Sequence, residues 1–406
     1  MRPPATSRAA RPSAYAACEA LAMVNYGFLS TYPPTQCGLA TFSAALMGHL
    51  ADPAAGERCG VVPVVDSPIP HPRRDTAVRL VNGNPVSALR ATDVLNRHDV
   101  LIFQHEYGVY GGVDGEDVLD VLHGMEIPIV SVLHTVLAAP TPHQRSVLQR
   151  IIDVSAAIVV LSRTAARTLL DGYLIDAGRV HVIPHGAAAP ANAASERPGG
   201  GSPTVLTWGL IGPGKGIEWA IRALGQLRDL NPAVRYLIAG QTHPKVLAEH
   251  GESYRAMLRG LAEDIGVADQ VVFDPTYREI GALTAMVRDA DLVLLPYDST
   301  EQATSGVLVE AIAARRPVIA TDFPHAKELL SGGAGLLVPH HDPAAMAQAV
   351  RRVLTEPGLA ESMTARCADL APALGWPTVA DEYRGLARAL LDAKTGNARI
   401  GNKVAL

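Results

Sequence analysis

Short, nearly continuous apolar runs alternate with longer amphipathic ones along most of the chain. The runs in the first half are AMVNYGFLS (22–30), GVVPVV (60–65), DVLIFQ (99–104), IPIVSVLH (127–134), AAIVVLS (156–162) and RVHVIP (179–184). Helix-like stretches lie between them at 39–51, 115–124, 143–152 and 163–171. Apolar strands of about 5–8 residues separated by helices predict strands buried on both faces, hence a parallel sheet.

The alternation stops at 187–203, AAAPANAASERPGGGSP, which has little to bury and reads as a linker. It then restarts with TVLTWGL (204–210), VRYLIAG (234–240), QVVFD (270–274), DLVLLPY (291–297), RPVIAT (316–321) and AGLLVP (334–339). Helices are expected at 216–228, 245–264, 278–289, 304–314 and 343–355. A last amphipathic run, 377–394, places Val379, Tyr383, Leu386, Leu390 and Leu391 at near-helical spacing. The expected layout is a tail at 1–20, a Rossmann-like domain at 21–187, a linker at 188–203 and a second Rossmann-like domain at 204–375. A helix at 376–394 packing back on the first domain and a tail at 395–406 complete it. Two doubly wound α/β domains leave a cleft, and ligands of such sheets sit outside the carboxyl ends of the strands.

Composition narrows the function. The 406 residues carry 35 Lys+Arg against 40 Asp+Glu, a net −5, which argues against a nucleic-acid partner. An aromatic share of 5 % disfavours a stacking platform for single strands. Cys18, Cys37, Cys59 and Cys367 form no CxxC pair, so reduced thiols and a cytoplasmic location are expected. No apolar run approaches the roughly 18 residues of a membrane span, and contact with a membrane surface stays open. The Ala- and Arg-rich start carries Glu19 and is expected to be a tail, not a secretory signal.

Candidate chemistry gathers after the strands. Between a strand and a helix lies Gly209-Leu210-Ile211-Gly212-Pro213-Gly214-Lys215-Gly216. Glycines let backbone N–H groups approach an anion, and Lys215 adds full charge. The loop nearly fits GxxxxGK[ST], but Gly216 replaces the hydroxyl that would hold magnesium. Phosphate or diphosphate binding is the sharper expectation; a tight turn without a ligand is the plainer one. Further on, Thr304-Ser305-Gly306 opens a helix and offers free N–H donors, and Glu310 stands in the apolar turn VLVEAIA. A carboxylate there is costly unless partnered, by ribose or sugar hydroxyls, or unless it faces water. Gln241, Thr242 and His243 follow a strand and are expected to face the cleft or to cap the next helix. His105 and Glu106 also follow a strand; without a second histidine at HExxH spacing they suit acceptor or sugar contact better than zinc. Cys37-Gly38 fits a tight turn in the first loop, and His185-Gly186 a hinge.

These segments carry a resemblance. VIPHG (182–186), the loop with Lys215-Gly216, YLIAG (236–240), DADLVLLP (289–296) and SGVLVEAIAARRPVIAT (305–321) are similar to the donor-binding domain of retaining glycosyltransferases of the GT-B fold, family 4. PPTQCGLATF (33–42), QHEYGVYGG (104–112) and His134 resemble a bacterial subgroup of it. The resemblance implies two Rossmann-like domains facing a cleft, the first on the acceptor side and the second binding a nucleotide-diphosphate sugar. It implies transfer of a hexose to an acceptor hydroxyl with retention, without metal or other cofactor, in cell-surface or secondary glycan synthesis. The acceptor would be a sugar or lipid-linked molecule. Lys215 falls on the lysine that holds the donor diphosphate. Glu310 falls on the second carboxylate of an E-x7-E element that contacts ribose, and His134 on a histidine beside the transferred sugar. Gln302 stands where that element has its first carboxylate, and Leu210 where an arginine precedes the lysine. The catalytic set is then Lys215, His134, Gln302 and Glu310. The binding set is Gly38, His105, Glu106, Gly209, Gly212, Gly214, Gly216, Gln241, Thr242, His243, Thr304, Ser305 and Gly306. A scaffold that binds nucleotide sugar without turnover, and a nucleotide-sugar epimerase, share the architecture.

Overall fold

Two all-parallel sheets organise the computed structural model, which describes residues 23–67, 78–188 and 201–404, with side chains to 394. The first sheet comprises β1 (Asn25–Ser30), β2 (Arg58–Val65), β3 (Leu80–Val81), β4 (Val100–His105), β5 (Ile129–Leu133), β6 (Ala157–Val160) and β7 (Val180–Val182), in the order β3-β2-β1-β4-β5-β6-β7. The second comprises β8 (Thr204–Trp208), β9 (Arg235–Ala239), β10 (Val271–Asp274), β11 (Leu292–Leu295), β12 (Val318–Thr321) and β13 (Gly335–Val338), in the order β10-β9-β8-β11-β12-β13. Strands β4, β5, β6, β11 and β12 are buried along their whole length, as expected where helices cover both faces of a sheet. The order reverses direction between β1 and β4 and again between β8 and β11. A crevice opens at such switch points, and the loops after these four strands border it.

Three features join the domains. The carboxylate of Glu328, in the second domain, accepts from Arg163 N and Thr164 N at 2.9 Å each, at the start of the Arg163–Gly172 helix of the first. An anion there satisfies unpaired N–H groups and meets the positive end of the helix dipole. Beside it Ser162 Oγ donates to Ala303 O at 2.7 Å. The terminal helix, Trp376–Val404, crosses back so that Trp376, Val379, Ala380 and Tyr383 pack with Phe42, Leu46 and Leu50 of the first domain. Glu57, 2 % exposed, accepts from Arg384 Nε and Arg388 Nη2, both at 2.8 Å.

The structure departs from the periodicity in several places. Strand β3 and the Pro85–Leu95 helix were absent from the pattern: two residues are too few to show alternation, and the helix is polar and small-residue-rich on one side. The single helix expected at 245–264 is two, Pro244–His250 and Ser253–Ile265, broken at Gly251 with φ +59°. Helices Pro324–Leu330 and Leu359–Leu374 are additional. The terminal helix does not end at 394, as no proline interrupts it before Val404, so the expected tail at 395–406 is largely helical backbone. The tail expected at 1–20, Cys18 within it and linker residues 189–200 lie outside the described residues.

Candidate active site between the two sheets

The glycine loop after β8 is shaped by close backbone packing. Gly209, Gly214 and Gly216 have φ of +127°, +87° and +62°. A Cβ at Gly216 would stand 1.8 Å from Pro296 O, so only glycine lets this turn lie on the chain leaving β11. Gly240 likewise lies against Gly209, where a Cβ would approach Gly209 O to 1.9 Å. Backbone bonds Ile211 N to Gln241 O (2.9 Å) and His243 N to Ile211 O (2.8 Å) stitch the loops after β8 and β9 together. Gly212 is buried in this seam. Lys215 is half-buried, its Nζ 4.6 Å from the ring centroid of Tyr297. Tyr297 stacks on Phe323 at 5.5 Å, so the lysine rests on a fixed aromatic face. Asp298 N donates to Gly214 O at 3.1 Å, and its Oδ1 accepts the Trp219 indole N–H at 3.0 Å.

The Gly306–Ala313 helix carries the carboxylate. Ser305 is its N-cap, with Oγ accepting from Leu308 N at 3.2 Å. Ser305 N donates to His325 Nδ1 at 2.9 Å. Glu310, partly exposed, has Oε2 3.2 Å from Trp208 Nε1, and desolvation raises its carboxyl to about 7. Because Trp208 is the last residue of β8, this bond ties the helix to the start of the glycine loop. Gln302 Nε2 donates to Thr304 O at 3.1 Å, and Thr304 Oγ1 is buried with no partner among the described residues. Gly306 faces His185, whose Nε2 would lie 2.8 Å from a Cβ there.

In the first domain His134 follows β5. Its Nε2 is 2.7 Å from Gln104 Oε1, and its ring meets Phe42 edge-on at 4.9 Å. Burial holds its conjugate acid near 3. Phe42 also contacts His185 edge-on at 5.0 Å, so a line of rings runs from His134 to Gly306 of the second domain. Glu106 accepts from Thr135 Oγ1 at 2.6 Å and from Tyr107 N at 3.1 Å. Gly38 is exposed at the first residue of the Gly38–Leu50 helix, after Cys37, whose Sγ accepts from Ala40 N at 3.4 Å as N-cap. The loops meet across the crevice: Gln241 Nε2 donates to Gln36 Oε1 at 2.5 Å, and Lys245 Nζ to Gly108 O at 3.3 Å.

Three binding expectations change, and for His243 the capping alternative is the one seen. His105 is 1 % exposed, packed against Tyr107 and Phe103 under the crevice, so it does not reach a ligand in this state. Thr242 is 3 % exposed and its hydroxyl donates to Glu252 Oε2 at 2.6 Å, facing inward beside Arg255. His243 caps the Pro244–His250 helix through Nδ1, 3.2 Å from Lys245 N. Ser305 spends its hydroxyl on its own cap and its N–H on His325, so it is not the free donor expected. Thr242, His243 and Ser305 are loop residues that meet polar needs within their own chain, whereas His105 ends β4 and is sealed off by burial alone. Sequence reasoning missed Trp208, Tyr297 and Gln104. Trp208 and Gln104 stood within the quoted motifs, and Tyr297 directly precedes the polar loop after β11, but nothing in their spacing showed what they touch.

Among the described residues no three His, Cys, Asp or Glu side chains come together as a metal site, and no helix is long and apolar enough to cross a membrane. Residues 202–356 match the family described as Glycosyl transferases group 1. The chain is 29 % identical over 306 residues to a D-inositol 3-phosphate glycosyltransferase of Acidothermus cellulolyticus, covering 68 % of this chain and 66 % of that one. It is 30 % identical over 277 residues to that of Nocardia farcinica, covering 63 % and 60 %. The matched region therefore spans somewhat less than two thirds of these relatives' length. Among solved structures, a glycosyltransferase from Rickettsia africae superposes with a TM-score of 0.69 at 16 % identity, over 90 % of this chain and 99 % of that one. Anabaena Alr3699/HepE, solved with UDP and glucose, gives 0.66 at 15 % identity, over 90 % and 100 %. The chain thus has the two-domain Rossmann-like fold of the GT-B glycosyltransferase structures, and residues 202–356 of its second domain are similar to the glycosyl transferases group 1 family.

Proposed function

We propose that this protein is a retaining glycosyltransferase that moves a hexose from a nucleoside-diphosphate sugar to an acceptor hydroxyl. The observation that carries the reading is the Trp208–Glu310 bond, which brings a partly exposed carboxylate to the mouth of the glycine loop bearing Lys215. A diphosphate on that loop would meet backbone N–H groups, the dipole end of the Ile217–Leu224 helix and the Lys215 ammonium. The ribose would then fall beside Glu310, whose carboxylate accepts from two hydroxyls. Gln302, as donor and acceptor, would hold sugar hydroxyls, and His134 would line the sugar's other side from the first domain.

The chemistry needs no covalent enzyme intermediate. The bond from the anomeric carbon to the diphosphate oxygen breaks, and Lys215 with the helix N-termini stabilises the charge left on that oxygen. The acceptor oxygen forms its bond to the same face, and its proton passes to the departing phosphate oxygen, so configuration is kept. Closure of the crevice, already bridged at Gln36–Gln241 and Gly108–Lys245, would exclude water. The relatives' name points to a phosphorylated polyol as one acceptor to try, and the UDP held by Anabaena Alr3699/HepE to uridine donors. The work would be done in the cytoplasm, on precursors of cell-surface or secondary glycans.

A thermal-shift panel of UDP, GDP and ADP sugars tests the donor, because only a ligand of the native state raises the midpoint. Retention is tested by the anomeric configuration of the product in proton NMR. No shift with any nucleotide sugar, or a product of inverted configuration, would overturn the reading.

A further inference from the structure

We propose that Gln104 is a positioning residue for His134: its carboxamide holds the imidazole by Nε2 and keeps it an uncharged hydrogen-bonding group on the sugar side of the crevice. The inference rests on the reading of the site just given, and it adds a residue that reading does not use.

Packing does not account for a glutamine at 104. The side chain is fully buried in β4, and its Nε2 has no partner among the described residues. A methionine would fill a similar volume without leaving an amide unpaired, and such a buried orphan is unfavourable. The polar contact the side chain does make is the one to His134, at 2.7 Å. That contact, the backbone bond from His134 N to His105 O at 3.1 Å and the edge of Phe42 fix the ring in place.

Burial holds the ring neutral, and the partner's identity leaves that undisturbed. A carboxylate at that distance would favour an imidazolium, whereas an amide has no net charge to offer. The titratable groups acting on His134 are His185, from the segment after β7, and His105, at the end of β4. His105 is fully buried and His185 partly so, and both oppose a positive charge on His134. Glu106, the nearest carboxylate in sequence, is turned to Thr135. Neutrality suits the chemistry. Breaking a glycosidic C–O bond builds positive charge at the anomeric carbon. A cation on the first-domain side would oppose that charge, while a neutral ring can still pair with a sugar hydroxyl.

The test follows His134 by NMR in the unliganded full-length protein labelled in histidine, its signals assigned with a His134→Gln variant. In the parent, His134 stays neutral across pH 5–8 and shows a single tautomer. In Gln104→Glu its protonation midpoint rises by about 1–3 pH units. Turnover of that variant falls as pH drops through the new midpoint and recovers above it. In Gln104→Met, which keeps the size and covers the case where the glutamate variant fails to fold, both tautomers appear and kcat falls more than KM rises. An unmoved midpoint in Gln104→Glu, a single tautomer in Gln104→Met, or a raised midpoint with no acid limb in turnover would each overturn the proposal. The NMR arms need no substrate, so they decide Gln104's hold on His134 even if the parent proves to transfer no sugar.

Discussion

Trp208 and Glu310 are 102 residues apart in sequence, yet the indole N–H of one donates to the carboxylate of the other at 3.2 Å. The bond is neutral-to-charged in a half-buried setting, and it leaves the carboxyl raised from 4.5 to about 7 by desolvation. The sign follows directly. A carboxyl raised on folding contributes stability fully below its unfolded value, and that contribution is lost as pH rises through about 7. Thermal melts of the unliganded parent should therefore lose more stability between pH 5 and 8 than those of Glu310→Gln. Ribose hydroxyls favour the ionised form, so affinity for nucleoside diphosphate should rise with pH through the same window more steeply in the parent than in the variant, where only the ligand's own phosphate titrates. Identical pH dependence in the two proteins would remove Glu310 from the site.

Lys215 supplies the full positive charge of the glycine loop, since Leu210 stands where the similar family has an arginine. Lys215→Ala should weaken binding of a nucleoside diphosphate by about 1.5–3 kcal/mol, the usual worth of a hydrogen bond to a charged group. Isothermal calorimetry reads this directly. The melting temperature without ligand should fall only slightly, because in the free protein the half-buried lysine rests on the Tyr297 ring, a contact worth about 0.5–1 kcal/mol.

Gln302 and Glu310 should separate by function. Glu310→Ala should weaken both the free diphosphate and the intact donor. Gln302→Ala should spare the diphosphate and lower kcat with the sugar donor, as expected for a group that meets only the sugar. Parallel losses in both variants, or none in either, would show that the two residues have been assigned to the wrong parts of the ligand.

The strap formed by the terminal helix gives a stability prediction. Glu57→Ala leaves Arg384 and Arg388 without the carboxylate they share. Removing one partner of a buried ion pair costs about 3–5 kcal/mol, and the partial exposure of both arginines lowers that to roughly 2–4. Chemical denaturation should show the loss, while nucleotide affinity of the folded fraction should be unchanged.

Much of this architecture was legible in the chain. Continuous apolar runs such as LVLL at β11 and VIAT at β12 can be satisfied only by burial on both faces, so a parallel sheet followed. The glycine loop was legible because Gly216 and Gly240 are demanded by backbone contacts that no side chain tolerates. What stayed hidden was direction. Thr242 and Ser305 sit in loops that face the crevice, yet each hydroxyl turns to a partner fixed by the fold, Glu252 in one case and the helix's own Leu308 N–H in the other. Spacing along a strand also could not tell that Gln104 points at His134 while His105, the next residue, points into the core. Pairings over 30 or 102 residues belong to tertiary packing, and local pattern carries no trace of them.

The central claim is transfer, and release of nucleoside diphosphate measures it most directly. The protein would be incubated in EDTA with UDP, GDP and ADP sugars, with and without an acceptor panel that includes D-inositol 3-phosphate. The account predicts release from one donor class when acceptor is present, little release without it, and loss of the signal in Lys215→Ala. EDTA should not matter, because Lys215 and the helix N-termini supply the charge the leaving group needs. A donor that binds but yields no acceptor-dependent diphosphate with any acceptor, or release that requires added Mg²⁺ or Mn²⁺, would contradict it.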